Sequence, residues 1–402
     1  MSIETLASFL FLILLGLFLI VKRKEVAIQK ILWPVVYMAM YRTKLGLKQM
    51  DSLAKKHPKL IDRLSKLGVY VGFAGMFAIS YLLIKSVFDT FLVPDAPQSV
   101  SLVVPFKAAG TVYIPFFYWI ISIFIIAGIH EFSHGVVARL HGVKIKSSGF
   151  AFLGILLPII PAAFVEPDEK QLTKKKRMQK LSVYSAGPFS NILSGFLFLA
   201  LLLLVSIPSA QMFEPNGVQV EGYTKNSSAE KVGLQRGEII QKINGIEIMS
   251  VENLSNTLKT KKIGEILDIT TNNNTHKIEL GVNPQNSSQP YLGVLISQSK
   301  QTNPKFETKY GRFTAPAIEW FLGLLSVLFV LSIGIGLINW APVWIFDGGQ
   351  MSREMFGAIF KKETTAKKWW NMSSLILLIV LLSLIFSPAI KSLFGFFFRL
   401  VI

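Results

Sequence analysis

The sequence predicts a multi-span α-helical membrane protein, with about six transmembrane helices, a re-entrant β-hairpin-like element and one inserted extracytoplasmic α+β domain. Three observations predict it. Apolar residues fall in blocks as long as the roughly 20 helical residues that a hydrocarbon core requires. Lys and Arg gather in alternate connections between those blocks, which is the inside bias of membrane proteins. One stretch of 90 residues, 211–300, is instead polar, rich in Asn and Ser, and alternates like strands.

The six blocks are 3–21, 69–92, 112–140, 183–208, 316–345 and 372–398. The first ends on Lys22, Arg23 and Lys24; without a basic start or a small-residue cleavage site it reads as a retained span. Segment 22–68 is basic with short amphipathic stretches, and is expected to skim the cytoplasmic membrane face. Residues 148–165 are apolar but interrupted by Gly149, Gly154, Pro158 and Pro161, which suits a re-entrant hairpin packed against protein better than a span. Basic loops at 166–182 and 353–368 belong with segment 22–68, inside. The N-terminus and the inserted domain then lie outside the cell membrane. The chain divides into N-terminal spans and a basic loop (1–111), a first core part (112–210), the inserted domain (211–300), a second core part (301–370) and a C-terminal span (371–402).

The chain of 402 residues is 51% hydrophobic and carries a formal net charge of +18. In a soluble protein that charge would raise nucleic acid as a partner. Its placement beside apolar blocks assigns it to topology and the lipid bilayer instead, with no nucleic acid. There is no cysteine, so disulfides, thiolate metal sites and cysteine nucleophiles are excluded. Any metal must sit on histidine and carboxylate.

The chemistry-bearing motif is His130-Glu131-Phe132-Ser133-His134, near the end of the third block. On a helix the two histidines lie one turn apart and reach one ion, while Glu131 stands beside them as a candidate general base. Tetrahedral zinc needs a third protein ligand and an open position. Ionisable groups within a span cost about 2.5–3.5 kcal/mol each on insertion scales, so three in five residues need a partner or a cavity. The bland reading is a polar cap of the helix at the interface. His141, past the span, reads as an interfacial histidine, and His57 and His276 carry no signal.

Asp347, in Asn339-Trp-Ala-Pro342-Val-Trp-Ile-Phe346-Asp347-Gly348-Gly349, is the candidate third ligand. Pro342 breaks the helix and the glycines permit a tight turn. The competing reading is an aspartate capping the next helix. Counted from the outside, both His130 and Asp347 fall toward the cytoplasmic half of their blocks.

With HEFSH in one span, Ala186-Gly187-Pro188-Phe189-Ser190-Asn191 in the next and the Asn339–Gly348 motif in a later one, residues 112–370 resemble the site-2 protease family of intramembrane zinc metalloproteases. The resemblance implies a zinc site of His130, His134 and Asp347, Glu131 as base, and a membrane-inserted β-hairpin at 149–166. Asn191 and Asn339 are candidates for oxyanion or substrate contacts, or equally for bonding freed backbone carbonyls. Residues 211–300 resemble a PDZ domain, in the run Ser228–Ile240, the Asn244-Gly245 turn and Tyr291–Val294. Such domains bind extended peptides, often through a free C-terminus; a size filter is the other possibility. The implied activity is hydrolysis of peptide bonds in or near transmembrane segments of membrane-protein substrates, either releasing a regulator or clearing signal-peptide remnants. The alternative from another class is a catalytically silent scaffold binding peptides through its PDZ domain. A metal transporter would need further acidic or histidine residues along the spans, and they are nearly absent.

Overall fold

In the computed structural model, residues 3–32, 36–93, 98–108, 110–155, 157–224, 227–283 and 286–393 are described. The chain forms two compact units, 1–202 with 323–402, and 203–322.

The first unit opens with helix α1 (Ile3–Val21), then an antiparallel pair β1 (Val26–Leu32) and β2 (Val36–Thr43), and helices α2 (Leu47–Lys56) and α3 (Pro58–Leu92). A short parallel pair, β3 (Leu102–Val104) and β4 (Thr111–Tyr113), leads into α4 (Phe116–Leu140), which carries HEFSH. The hairpin β5 (Ile145–Ile155) and β6 (Leu157–Pro167) follows, then α5 (Glu169–Thr173) and α6 (Arg177–Ser209).

Among the described residues, five helices are long and apolar enough to cross a membrane: Pro58–Leu92, Phe116–Leu140, Arg177–Met212, Thr314–Asn339 and Glu363–Ile385. The first expected span is a shorter apolar helix, Leu6–Val21. The second starts earlier than its apolar block, at Pro58, because the Lys- and Arg-bearing turns before Val69 continue the same helix. The fifth stops at Asn339, well short of 345, and the end of the sixth block beyond 393 lies outside the described residues.

Segment 22–68 departs most from expectation. It holds a β-hairpin as well as amphipathic α2, and that hairpin joins the expected re-entrant one in a four-stranded antiparallel sheet ordered β1-β2-β5-β6. The basic residues masked the strand signal of Val36-Tyr-Met-Ala-Met-Tyr41. Side chains lock the register: Thr43 Oγ1 donates to Ser148 O (3.1 Å), Ser148 Oγ to Leu45 O (2.6 Å), and Arg42 pairs with Glu166 at 3.3 Å. Gly149 is required at this junction, since a Cβ there would run into the Tyr41 carbonyl.

The second unit carries β7 (Phe213–Tyr223), α7 (Ser228–Lys231), β8 (Ile239–Ile243), β9 (Ile246–Glu247), α8 (Val251–Lys259), β10 (Ile266–Thr271), β11 (Thr275–Glu279), β12 (Gly281–Asn283), β13 (Asn286–Tyr291), β14 (Val294–Thr302) and α9 (Pro304–Tyr310). Its main sheet runs β11-β10-β8-β7-β14, with β9 beside β8. Val218, Val220, Ile240, Ile243, Ile269 and Ile278 are fully buried in its core. Asn244 and Gly245, both at positive φ, make the tight turn between β8 and β9 that the Asn-Gly pair predicts. The chain then returns to the first unit through α10 (Thr314–Asn339), α11 (Asp347–Ile359) and α12 (Glu363–Ile385).

Helix α3 supports the site from behind. Gly68, Gly72 and Gly75 lie on one face of it, where any Cβ would press on Phe189, on Met351 and Trp340, and on Trp340 again. This lets Trp340, only 2% exposed, wedge between α3 and the chain leading to Asp347. On α4, Gly135 similarly accepts Met50 of α2, and Arg139 pairs with Asp51 at 3.0 Å.

Candidate metal centre

Three elements bring their polar atoms together. α4 presents His130 and His134 one turn apart; α10 ends at Asn339, the chain turns through buried Trp340, Ala341 and Val343, and α11 begins at Asp347. Asp347 is the first residue of α11 and faces the histidines; the N-cap is Phe346 and no side chain caps the helix, so the capping reading does not hold. Gly348 and Gly349 are helical rather than at positive φ. What demands glycine is close approach, because a Cβ on either would strike the Trp340 or Val343 carbonyl of the preceding turn.

Asp347 Oδ2 lies 3.1 Å from His130 Nε2 and 3.3 Å from His134 Nε2, and the two Nε2 atoms are 3.1 Å apart. A tetrahedral zinc ion with bonds of about 2.0–2.1 Å has ligand edges of about 3.3–3.4 Å. The observed triangle has nearly that size, so these three residues fit zinc. Its donor set, two imidazoles and a carboxylate with a side left open to a cleft, is that of catalytic rather than structural zinc sites.

The surrounding groups aim the imidazoles. His134 Nδ1 is 2.7 Å from the Val183 carbonyl. A carbonyl only accepts, so Nδ1 carries the proton and Nε2 keeps its lone pair for a metal. His130 Nδ1 lies 3.1 Å from the side-chain amide of fully buried Asn191. The same tautomer at His130 needs an acceptor there, which is Asn191 Oδ1 after an amide rotation; with Nδ2 facing His130, Oδ1 is buried without a partner. Asn191 thus reaches the site through His130, while Asn339 lines the cleft and donates from Nδ2 to Ile335 O (2.9 Å).

Sequence reasoning missed the role of Gly187. A Cβ there would fall 2.5 Å from His130 Nε2 and nearer still to His134 Nε2. Helix α6 can pass this close to α4 only because the side chain is hydrogen. The signal was in plain view, one turn before Asn191 in the AGPFSN stretch, but spacing alone gave the glycine no task. The partner of Glu131 was also missed: its Oε2 accepts from the Val165 N–H of β6 at 2.9 Å. This ties the edge strand of the sheet directly to α4.

These groups open on a cleft of about 550 Å³. Its wall includes His130, Glu131, His134, Val165, Tyr184 and Asp347. His141 stands apart, bonded to Ser182 Oγ at 2.8 Å, where burial holds its imidazole below the usual histidine value. His276 pairs with buried Glu238 inside the second unit (2.9 Å), and His57 precedes α3.

Residues 118–381 match Peptidase family M50. The chain is similar to the uncharacterized protein MJ0971 of Methanocaldococcus jannaschii, 28% identical over 355 residues, which cover 86% of this chain and 89% of that protein. It is also similar to the regulator of sigma-W protease RasP of Bacillus subtilis, 21% identical over 245 residues, or 51% of this chain and 56% of that one. Among solved structures, the PDZ domain of the SdrC-like protein from Listeria monocytogenes matches at 22% identity over 20% of this chain and 87% of its own, with a TM-score of 0.19. With the family match covering well over half its length, the chain belongs to peptidase family M50, the site-2 proteases, and is a zinc metalloprotease with membrane-spanning helices.

Proposed function

We propose that the protein hydrolyses peptide bonds in or near the transmembrane segments of other membrane proteins, with His130, His134 and Asp347 holding zinc and Glu131 as general base. The observation that carries this reading is the 3.1–3.3 Å triangle of ligand atoms beside a carboxylate, on helices apolar enough to span a membrane. Zinc, when bound, supplies Lewis acidity that lowers the pKa of water toward 7 and polarises a carbonyl. Glu131 takes the proton of the attacking water and delivers it to the leaving amine. Val165 N–H, by bonding one carboxylate oxygen, fixes the rotamer and leaves the other oxygen for that transfer. Asn191 and Val183 O hold the imidazoles in the tautomer that offers Nε2. Asn339 and the β6 edge beside Glu131 are placed to meet an extended substrate backbone, since a spanning helix must unwind before its peptide bonds are accessible.

The Lys and Arg distribution supports a multi-pass arrangement in the cell membrane with basic loops and the site side cytoplasmic, and with the N-terminus and residues 211–300 outside. The inserted domain selects substrates, by docking peptide ends or by admitting only those already trimmed outside. Deleting 211–300 separates these: docking predicts loss of cleavage, filtering predicts cleavage of untrimmed substrates.

The reading is tested by purifying the full chain in detergent and assaying a tagged single-span substrate. Glu131→Gln should retain zinc and lose cleavage. A silent scaffold would show no zinc-dependent cleavage in either form, and undiminished cleavage by the variant sinks the base assignment.

A further inference from the structure

Arg353 has no part in the chemistry above, yet it stands on the wall of the same cleft. Asp347, Gln350 and Arg353 follow at three-residue spacing on α11 and all line the cleft, a row running obliquely along the helix. Six residues at about 1.5 Å rise set Arg353 about 9 Å along the axis from Asp347. Extended peptide, at roughly 3.3 Å per residue, covers that distance in about three residues.

The guanidinium is held in place. Its Cζ lies 5.3 Å from the ring centroid of Trp370, and Trp370 is itself pinned, its indole N–H donating to Gly349 O at 2.8 Å. Stacking on a ring face leaves the edge N–H groups of arginine free for a bidentate acceptor. The nearby cations are already engaged: Lys180 pairs with Glu354 at 2.5 Å, and Arg177 reaches the same carboxylate at 3.8 Å while donating to Gly357 O. Among the described residues, no carboxylate forms an ion pair with Arg353, and that includes Glu169, which also lines the cleft. A fixed, exposed and unpaired guanidinium contributes little to folding. Beside a metal centre it is a ready anion subsite.

We propose that Arg353 is a specificity-determining residue that takes a substrate carboxylate about three residues from the scissile bond. The carboxylate comes from an Asp or Glu side chain or from a free C-terminus. This rests on the cleft being the active site. It also gives the enzyme a depth gauge, because a carboxylate is held out of the hydrocarbon; gripping one at Arg353 sets the cut within about three residues of the membrane border.

Full-length, zinc-loaded protein is assayed on single-span substrates carrying Glu, Gln or Lys at each of the positions flanking the cut, and on versions ending there as free acid or amide. Wild type should prefer Glu over Gln about tenfold in kcat/KM at one position about three residues away, and the ratio should fall to near one in Arg353→Gln. Arg353→Glu should turn the preference toward Lys. Peptide hydroxamates bearing Glu or Gln at successive positions, bound to zinc-loaded Glu131→Gln protein, read the same ratio without turnover. Equal Glu:Gln ratios in wild type and Arg353→Gln in both measurements overturn the proposal. The active-site reading fails separately, if cleavage survives Glu131→Gln or the hydroxamates bind equally well without zinc. An effect of the free acid but not of internal Glu assigns the subsite to chain ends.

Discussion

The two units of this chain use the same apolar residues in opposite ways. In residues 211–300 Val218, Ile240, Ile243, Ile269 and Ile278 are turned wholly inward, and exposed apolar side chains such as Ile246, Ile266 and Leu295 stand among a polar surface. In the helical unit Phe77, Tyr81, Phe88, Leu197 and Ile379 are mostly exposed, while Ser122, Ser185, Asn191, Ser332 and Ser352 are fully buried. An apolar surface is stable there because lipid is the solvent, and polar groups retreat to helix contacts and the metal centre. One unit therefore owes its fold to a hydrophobic core. The other depends on close helix approach through glycine, and its buried hydroxyls are met only in part: Ser185 and Ser352 donate to carbonyls of their own helices, while Ser122 and Ser332 Oγ have no partner among the described residues.

The contrast can be broken most sharply at Gly187. Replacing it with alanine places a methyl where the two Nε2 atoms meet, so zinc content should drop close to nil and cleavage with it, while helical circular dichroism is kept. Full zinc content in Gly187→Ala would refute the cradle. Next in size is Glu131→Gln, expected to lower kcat by about 10²–10⁴ with zinc retained. Asn191→Ala should weaken zinc affinity by about 10–100-fold, the usual effect of removing a group that orients a ligand; an unchanged affinity would deny Asn191 its hold on His130. In the other unit, Ile240→Ala should cost about 2–5 kcal/mol of that domain's stability and leave zinc binding intact. Loss of zinc in that variant would show that the units do not fold independently.

The smallest effect concerns His141. Burial lowers its pKa, against the opposing pull of Asp62 and with the help of Lys175 and Lys66. The unfolded chain then binds more protons in the window just below the ordinary histidine value. The stabilising contribution is present above that value and is lost as pH falls through the folded pKa. His141→Asn should flatten the melting temperature across that window, and an unaltered pH slope would remove the histidine from the account.

The sequence made much of this legible, and for physical reasons. Apolar blocks, HEFSH and the Asn339–Gly348 motif are local patterns, so five of the six expected spans correspond to long apolar helices among the described residues, and the three candidate ligands named from the chain are side chains that come together. The Asn244-Gly245 turn was legible for the same reason. What escaped depends on pairing across long separations. The β1–β2 hairpin is stabilised by strands more than 100 residues away, through Thr43 with Ser148 and Arg42 with Glu166. Gly187, Val165 N–H and the glycines of α3 matter only for what approaches them in space.

The central claim is that two imidazoles and one remote carboxylate bind a single ion. X-ray absorption at the zinc edge, on the purified full chain, tests it most directly. The account predicts about one zinc per chain with two nitrogen and two oxygen neighbours near 2.0–2.1 Å, and loss of both metal and signal in Asp347→Ala. An unchanged stoichiometry and coordination shell in that variant would contradict it.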